Sequence, residues 1–383
     1  YRCRHLVPHQ PDVRLGRMIL SDDELTRYAR HIILKEFGGS GQARLKTATV
    51  AIVGAGAIGG FLGVRLAHAG EDVTFIARGA NLDAIQRNGM RLIEEDGSEI
   101  HVTNLKATKS MAEAGQHDIV LLTVKAHQVG PIAADLHHLI GPETMVVTMQ
   151  NGIPWWYFSQ GHGGDLTGTH LETADPGGLI AQYLDPKHVI GSVVYPAAVL
   201  TEPGVVQVVE GHRFGLGELD GSMSPRVQSL AQTLIKAGFR APVTSDIRAE
   251  IWLKLWGNLS FNPISALAHA TLVDICQFPE TRALAAAMMR EAETIANRLG
   301  VTFKLGIERR IAGAEKVGAH KTSMLQDVEA GRPIELEALV GSIIELGRLT
   351  DTPTPHIDTV YALMRLLAQS LERAQGRLSI TPA

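Results

Sequence analysis

The chain has 383 residues, with 36 Lys+Arg against 40 Asp+Glu and a formal net charge of −4, so its charge balance favours neither nucleic acid nor an anionic membrane surface. Two cysteines, Cys3 and Cys276, exclude a disulfide scaffold and any multi-cysteine zinc or iron–sulfur site, and a reducing, cytoplasmic setting is the expectation. At 45% hydrophobic residues the chain can fill two or three cores, yet no apolar run reaches the roughly 18 residues of a membrane span.

The N-terminal sequence shows no signal-peptide core, and Met18 is the expected natural start of a chain that here opens on Tyr1. Residues 21–46 carry a helix start signal, Ser21 with Glu24 three residues on, ahead of Leu25, Tyr28, Ile32 and Ile33, and read as one or two amphipathic helices. A buried strand over 48–53 runs into Gly54, Ala55, Gly56, Ala57, Ile58 and Gly59, then into a helix ending at His68. A second strand over 72–77 ends at Arg78. Apolar runs over 119–124 and 145–148, separated by helix-length stretches, repeat the alternation of a parallel doubly wound sheet. Residues 159–176, rich in Gly, Asp and Thr, read as a long loop beside the carboxyl edge of the sheet. Over 189–216, short segments broken by Pro and Gly read as late, partly antiparallel strands of the same sheet. From Ile247 to Ser370 the period is helical, punctuated by Pro263, Gly300, Pro333, Pro353 and Pro355. The expected class is α/β, with a helical extension over 1–46, a dinucleotide-binding doubly wound domain over 47–245 and an all-helical domain over 246–375.

The spacing Gly54-x-Gly56-x-x-Gly59 arises easily by chance in a chain with 39 glycines, but here it closes a strand and opens a helix. The first glycine then permits the tight turn, the second lets backbone approach a pyrophosphate, and the third allows close helix–sheet packing. The helix N-terminus presents free amides to the phosphates. Where an acid would hold the ribose hydroxyls of NAD, Arg78 stands instead; a guanidinium suits a 2′-phosphate and points to NADPH, although strand-end arginines are also ordinary surface charges. Lys125, ending the 119–124 strand, is either a second cation for the same phosphates or a surface charge.

Residues 249–259 are apolar around nearly the whole helical circumference, so this helix is expected to be buried. Lys254, Asn258 and Asn262 nevertheless recur at i, i+4 and i+8, drifting only about 40° per step, as one polar stripe. Such groups are costly in a dry place unless they face partners or substrate, and desolvation would bring the lysine toward the working range of a proton donor. A lysine snorkelling past the tryptophans to solvent is the bland alternative. Asn151, after the fourth strand, sits at the carboxyl edge where ligands of such sheets bind, or forms a simple turn with Gly152. A second polar cluster runs from Ser323 to Asp327. Beyond it, Pro333 at a helix N1 position would put Glu335 in the first helical turn, where the dipole alone would also explain it. No metal site is expected: among 16 histidines the one i, i+4 pair, His5 and His9, spans Pro8.

The glycine turn, Arg78, Lys125-x-x-Gln128, Gln150-Asn151-Gly152, Lys254 with Asn258 and Asn262-Pro263, Ser323-Met324-Leu325-Gln326-Asp327 and Glu335 occur in the order seen in the ketopantoate reductase (2-dehydropantoate 2-reductase) family, which the chain resembles over residues 48–371. The resemblance implies a Rossmann domain followed by an all-helical substrate and dimerisation domain, with the active site between them. It further implies a homodimer and NADPH-dependent reduction of a 2-keto acid, ketopantoate to pantoate, on the route to pantothenate and coenzyme A. By that resemblance Lys254 protonates the keto oxygen and Asn151 positions lysine and nicotinamide. Asn258, Asn262 and Ser323 hold the substrate, and Glu335 completes the polar site. The chain departs from the family's pattern at Leu272, His320 and Val340, where substrate asparagines are typical. It departs again in the run Trp155-Trp156-Tyr157-Phe158, which either reshapes the pocket or packs in the core. Another keto substrate is therefore an alternative.

The opening Leu20-Ser21-Asp22-Asp23-Glu24-Leu25, with Arg27, Tyr28, Arg30, His31 and then Gly41, Gln42 and Lys46, resembles that of adenylating enzymes for sulfur-carrier proteins. An adenylyltransferase is thus the alternative from another class, although two cysteines are too few for the zinc site of those enzymes. A cofactor-binding regulator without turnover is a third reading, and the Lys254 stripe opposes it.

Overall fold

The structure, a computed structural model, describes residues 48–376; the helical extension expected over 1–46 lies outside the described residues. Strands run over Thr49–Val53 (β1), Asp72–Ile76 (β2), Met90–Ile93 (β3), Glu99–Val102 (β4), Lys106–Thr108 (β5), His117–Leu122 (β6), Ile140–Thr148 (β7), Val189–Val194 (β8), Ala197–Glu202 (β9), Val205–Glu210 (β10) and Phe214–Glu218 (β11). Seven of them build one sheet in the order β11-β8-β7-β6-β1-β2-β5, parallel except for β11. Its central strands β1 and β6 are apolar and buried on both faces, as a sheet covered on both sides requires.

The remaining four strands form a second sheet, β4-β3-β10-β9. Residues 205–210 therefore do not extend the main sheet, as the sequence pattern implies; β10 pairs parallel with β3 and antiparallel with β9. The helix Ala57–His68 (α1) is the reason. It lies between the two sheets with Phe61, Leu62 and Leu66 fully buried, and a Cβ on Gly60 would meet Met90 and Val206 of the second sheet at 2.6 Å. Gly79–Asn88 (α2) follows β2, and Pro225–Lys236 (α3), capped by Ser224 Oγ accepting from Val227 N at 3.2 Å, follows β11.

Strands stop after Phe214–Glu218. Ile247–Ala268 (α4) is a single 22-residue helix that continues through Pro263, which the sequence pattern reads as a break. The proline ring removes only the amide that would have bonded the carbonyl of Leu259. Leu253 is exposed, so the helix is not buried all round, but Trp252 and Trp256 are fully buried. Their indole N–H groups donate to Tyr157 Oη (2.7 Å) and Met289 O (2.8 Å). A short helix Leu272–Gln277, then Pro279–Arg298 (α5), Ile307–Val317 (α6), Ser323–Glu329 (α7), a π-helical turn Glu337–Gly341, Ser342–Leu349 (α8) and Pro355–Arg373 (α9) complete the helical part.

The aromatic run is core: Trp156, Tyr157 and Phe158 are buried, and Trp156 Nε1 donates to Thr148 Oγ1 at 3.0 Å. Arg248, in the first turn of α4, donates to the carbonyls of Tyr157 (2.8 Å), Ser159 (2.9 Å) and Leu219 (2.5 Å), which ties the segment after β7 and the turn after β11 to the helices. The loop over 159–176 is fastened as well, because Glu345 of α8 accepts from the amides of Glu172 and Thr173 at 2.8 and 2.9 Å. One apolar cluster joins the sheet face bearing Val53, Leu122 and Val146 to Trp252, Leu255 and Met289. Among the described residues no helix is long and apolar enough to cross a membrane.

Candidate active site

Gly54 ends β1 with φ +106°, and a Cβ on Gly59 would lie 1.9 Å from Gly54 O, so the turn folds back on the start of α1 as only glycine allows. From the end of β6, Thr123 Oγ1 donates to Gly54 O at 2.6 Å and holds that carbonyl inward. Gly56 is the exposed N-cap of the 12-residue α1, with no capping side chain and no acid in the first turn. Nothing stands within 4 Å of where a Gly56 side chain would be. Open surface above free helix amides fits a pyrophosphate. Arg78 follows β2 as the N-cap of α2, exposed and in no ion pair among the described residues.

Lys125 is committed elsewhere. Its Nζ bonds Asp327 Oδ2 at 2.5 Å and Pro333 O at 3.3 Å, and Arg332 Nε meets Asp327 Oδ1 at 2.9 Å. Beside it, Ala126 N donates to Glu335 Oε1 (3.2 Å) and Asn151 Nδ2 to Glu335 Oε2 (3.5 Å). Glu335 precedes the π-helical turn, in residues 332–335 that are not helical, and so is not in the first turn that Pro333 implied. Donors at the carboxyl edge of the sheet hold its carboxylate, in place of a helix dipole.

Lys254 lies at the centre of this seam. Its Nζ donates to Asn151 Oδ1 (2.6 Å) and to Val194 O at the end of β8. The segment carrying Asn151 docks tightly: Gly152 has φ +91°, a Cβ there would meet Ala338 O at 2.0 Å, and Ile153 N donates to that same oxygen at 3.1 Å. Gln150 Nε2 bridges Leu122 O (2.8 Å) and Val124 O (3.0 Å), pinning the neighbouring strand end. Burial pulls the Lys254 pKa down from 10.5 to about 8, and the negative charge of Glu335 opposes that fall. Asn258 lines a small cavity together with Asn151, Ser192 and Lys254. Asn262 is buried further along α4, and Ser323 is exposed at the start of α7; neither side chain bonds the lysine cluster. A wider cleft of about 590 Å³ lies elsewhere, along Gln160, Asp246, Arg248 and Arg298, and contains none of these groups.

Three features escape the sequence reading. Val194 contributes a carbonyl, which residue type does not reveal. Asp327, within the second polar cluster, is the partner of Lys125. Glu250, four residues before Lys254 on the same stripe, accepts from Tyr195 Oη (2.6 Å) and Arg213 Nη2 (3.0 Å), and its spacing was the available signal. Of the departures from the family pattern, Leu272 N donates to His320 O at 3.0 Å, so these two adjoin, whereas Val340 is fully buried in the helical core.

The sequence matches the family described as "Ketopantoate reductase PanE/ApbA" over residues 50–221 and "Ketopantoate reductase PanE/ApbA C terminal" over residues 246–368. The chain belongs to the ketopantoate reductase family. A 2-dehydropantoate 2-reductase of Mesorhizobium japonicum is 56% identical to it over 320 residues, covering 83% of this chain and 97% of that protein. The crystal structure of a candidate ketopantoate reductase from Ralstonia solanacearum MolK2 is 42% identical, with a TM-score of 0.81 over 85% of this chain and 99% of that one. A ternary structure of D-mandelate dehydrogenase with NADH and anilino(oxo)acetate shares the fold at 22% identity, with a TM-score of 0.72 over 85% and 99% of the two chains. As a member of the ketopantoate reductase family the chain is an oxidoreductase with a Rossmann-type sheet followed by helices, and the family's cofactor is a nicotinamide dinucleotide.

Proposed function

We propose that this chain reduces 2-dehydropantoate to pantoate with NADPH. The observation that carries the reading is Lys254, an ammonium lowered by burial to about 8, held by Asn151 and Val194 at the carboxyl edge of the sheet that bears the glycine turn. When bound, the cofactor supplies a hydride to the keto carbon. Gly54, Ala55, Gly56, Ala57, Ile58 and Gly59 would hold its pyrophosphate, and Arg78 would supply the charge-assisted contact for the 2′-phosphate. Lys254 stays protonated at neutral pH yet is acidic enough to pass its proton to the keto oxygen as charge gathers there. Asn151 fixes the ammonium while its amide rests on Glu335, so the carboxylate orients the asparagine and sustains the positive charge. Asn258 faces the substrate within the lysine cavity, with Asn262 and Ser323 as further substrate contacts. Lys125 serves the seam with Asp327. The protein works as a cytoplasmic homodimer supplying pantoate for pantothenate and coenzyme A.

Following NADPH absorbance with 2-dehydropantoate and a panel of other 2-keto acids tests the reading. Turnover with 2-dehydropantoate foremost is expected, and no oxidation with any of them overturns it. Another 2-keto acid as the best substrate would trace to Leu272 and His320, which adjoin where the family pattern has asparagines.

A further inference from the structure

A second cation stands beside the lysine stripe, on a helix that the sequence pattern leaves without a role. Arg310, at the start of α6, sends its guanidinium onto α4, where it covers Gly257: a Cβ at Gly257 would lie 1.9 Å from Arg310 Nη2 and 2.7 Å from Cζ. Gly257 comes three residues after Lys254 and directly before Asn258, roughly 60° around the helix from the lysine, so Arg310 flanks the stripe.

Among the described residues, other arginines drawn out of water find acceptors. Arg213 pairs with Glu250, Arg226 with Glu218, Arg282 with Glu308 and Arg332 with Asp327. Even the buried Arg248 spends its donors on three carbonyls. Arg310 is half-buried, and among the described residues its side chain makes neither an ion pair nor a hydrogen bond. Burial pulls its pKa below the usual arginine value, and the groups that oppose this are Tyr195 and Cys276, with no carboxylate among them. A guanidinium taken out of water without an acceptor is costly, and its planar fork matches a carboxylate in a bidentate pair.

We propose that Arg310 binds the carboxylate of the 2-keto acid, setting the acid end of the substrate over Gly257 and the keto group toward Lys254. Gly257 belongs to the same device, since any side chain there would occupy the space of the guanidinium. The inference rests on the reading of the site as a keto-acid reductase, and it adds the group that selects acids over neutral ketones.

Steady-state kinetics on Arg310→Gln and Gly257→Ala, with 2-dehydropantoate and with its uncharged methyl ester, decide it. Arg310→Gln is expected to raise KM for the acid by roughly 10- to 100-fold, the scale of a lost charge-assisted pair, while leaving kcat, KM for the ester and NADPH affinity close to the parent values. Gly257→Ala should reproduce this by displacing the guanidinium, and the double variant should add little, because both changes remove one interaction. Retained NADPH binding shows that each variant is folded. Equal losses on acid and ester, or an unchanged KM for the acid, overturn the proposal. A parent enzyme that oxidises no NADPH with any 2-keto acid instead overturns the reductase reading, before any variant is compared.

Discussion

The turn between β1 and α1 takes its parts from residues 54–59, with Thr123 of the neighbouring strand end holding one carbonyl, whereas the Lys254 cluster draws on Ala126, Asn151, Val194, Lys254 and Glu335, which meet only when the helical part docks on the carboxyl edge of the sheet. The first is a backbone device, whose function lies in amides and missing side chains. The second is a side-chain device, whose function lies in one displaced pKa and the groups that hold it. The two regions should therefore fail separately: damage to the cluster should spare cofactor binding, and damage near the turn should act through the cofactor alone.

The strongest break of that comparison is Lys254→Ala. Turnover should fall roughly 10²-fold or more, the scale of general acid catalysis, while NADPH titration shows unchanged affinity. Lys254→Arg should restore little, because arginine does not release its proton near neutral pH. Near-parent turnover in the alanine variant would remove the lysine from the chemistry. On the other side, Arg78→Ala should raise KM for NADPH by about tenfold or more through loss of a charge-assisted contact, with little effect on NADH. Equal effects on both nucleotides would show that the arginine does not read the phosphate.

A finer cut comes from pH. A general acid must be protonated, so kcat/KM should hold below the Lys254 pKa and decline as pH rises through about 8. Glu335 raises that pKa, so Glu335→Gln should move the alkaline limb to lower pH; a limb that stays or moves upward would contradict the coupling. The smallest effect is expected at the seam. Asp327→Asn weakens the partly exposed pairs with Lys125 and Arg332 and should cost about 1 kcal/mol in urea unfolding, with several kcal/mol instead marking the pair as part of the folding core.

The same contrast explains what could be read without coordinates. The glycine turn and the alternation of strand and helix are local, so neighbours in sequence are neighbours in space. The Lys254 stripe was legible because a helix converts i+4 spacing into a face. Its partners were not: Val194 acts through a carbonyl common to every residue, and Lys125 meets an aspartate 202 positions away. The misplacement of β10 has a similar origin, because its apolar residues suit either sheet, and only the bulk of α1 assigns them to the second. Pro333 predicts Glu335 at a helix start, but residues 332–335 are not helical and the carboxylate meets Ala126 and Asn151.

The two acceptors that hold the Lys254 ammonium lie 103 and 60 residues away along the chain, both on the sheet side. On the proposed reading the proton donor is assembled late: a folding chain can complete the sheet and its glycine turn before the lysine has anything to hold it. Regain of nucleotide binding should run ahead of regain of turnover, and the delay between them times the docking of the helices.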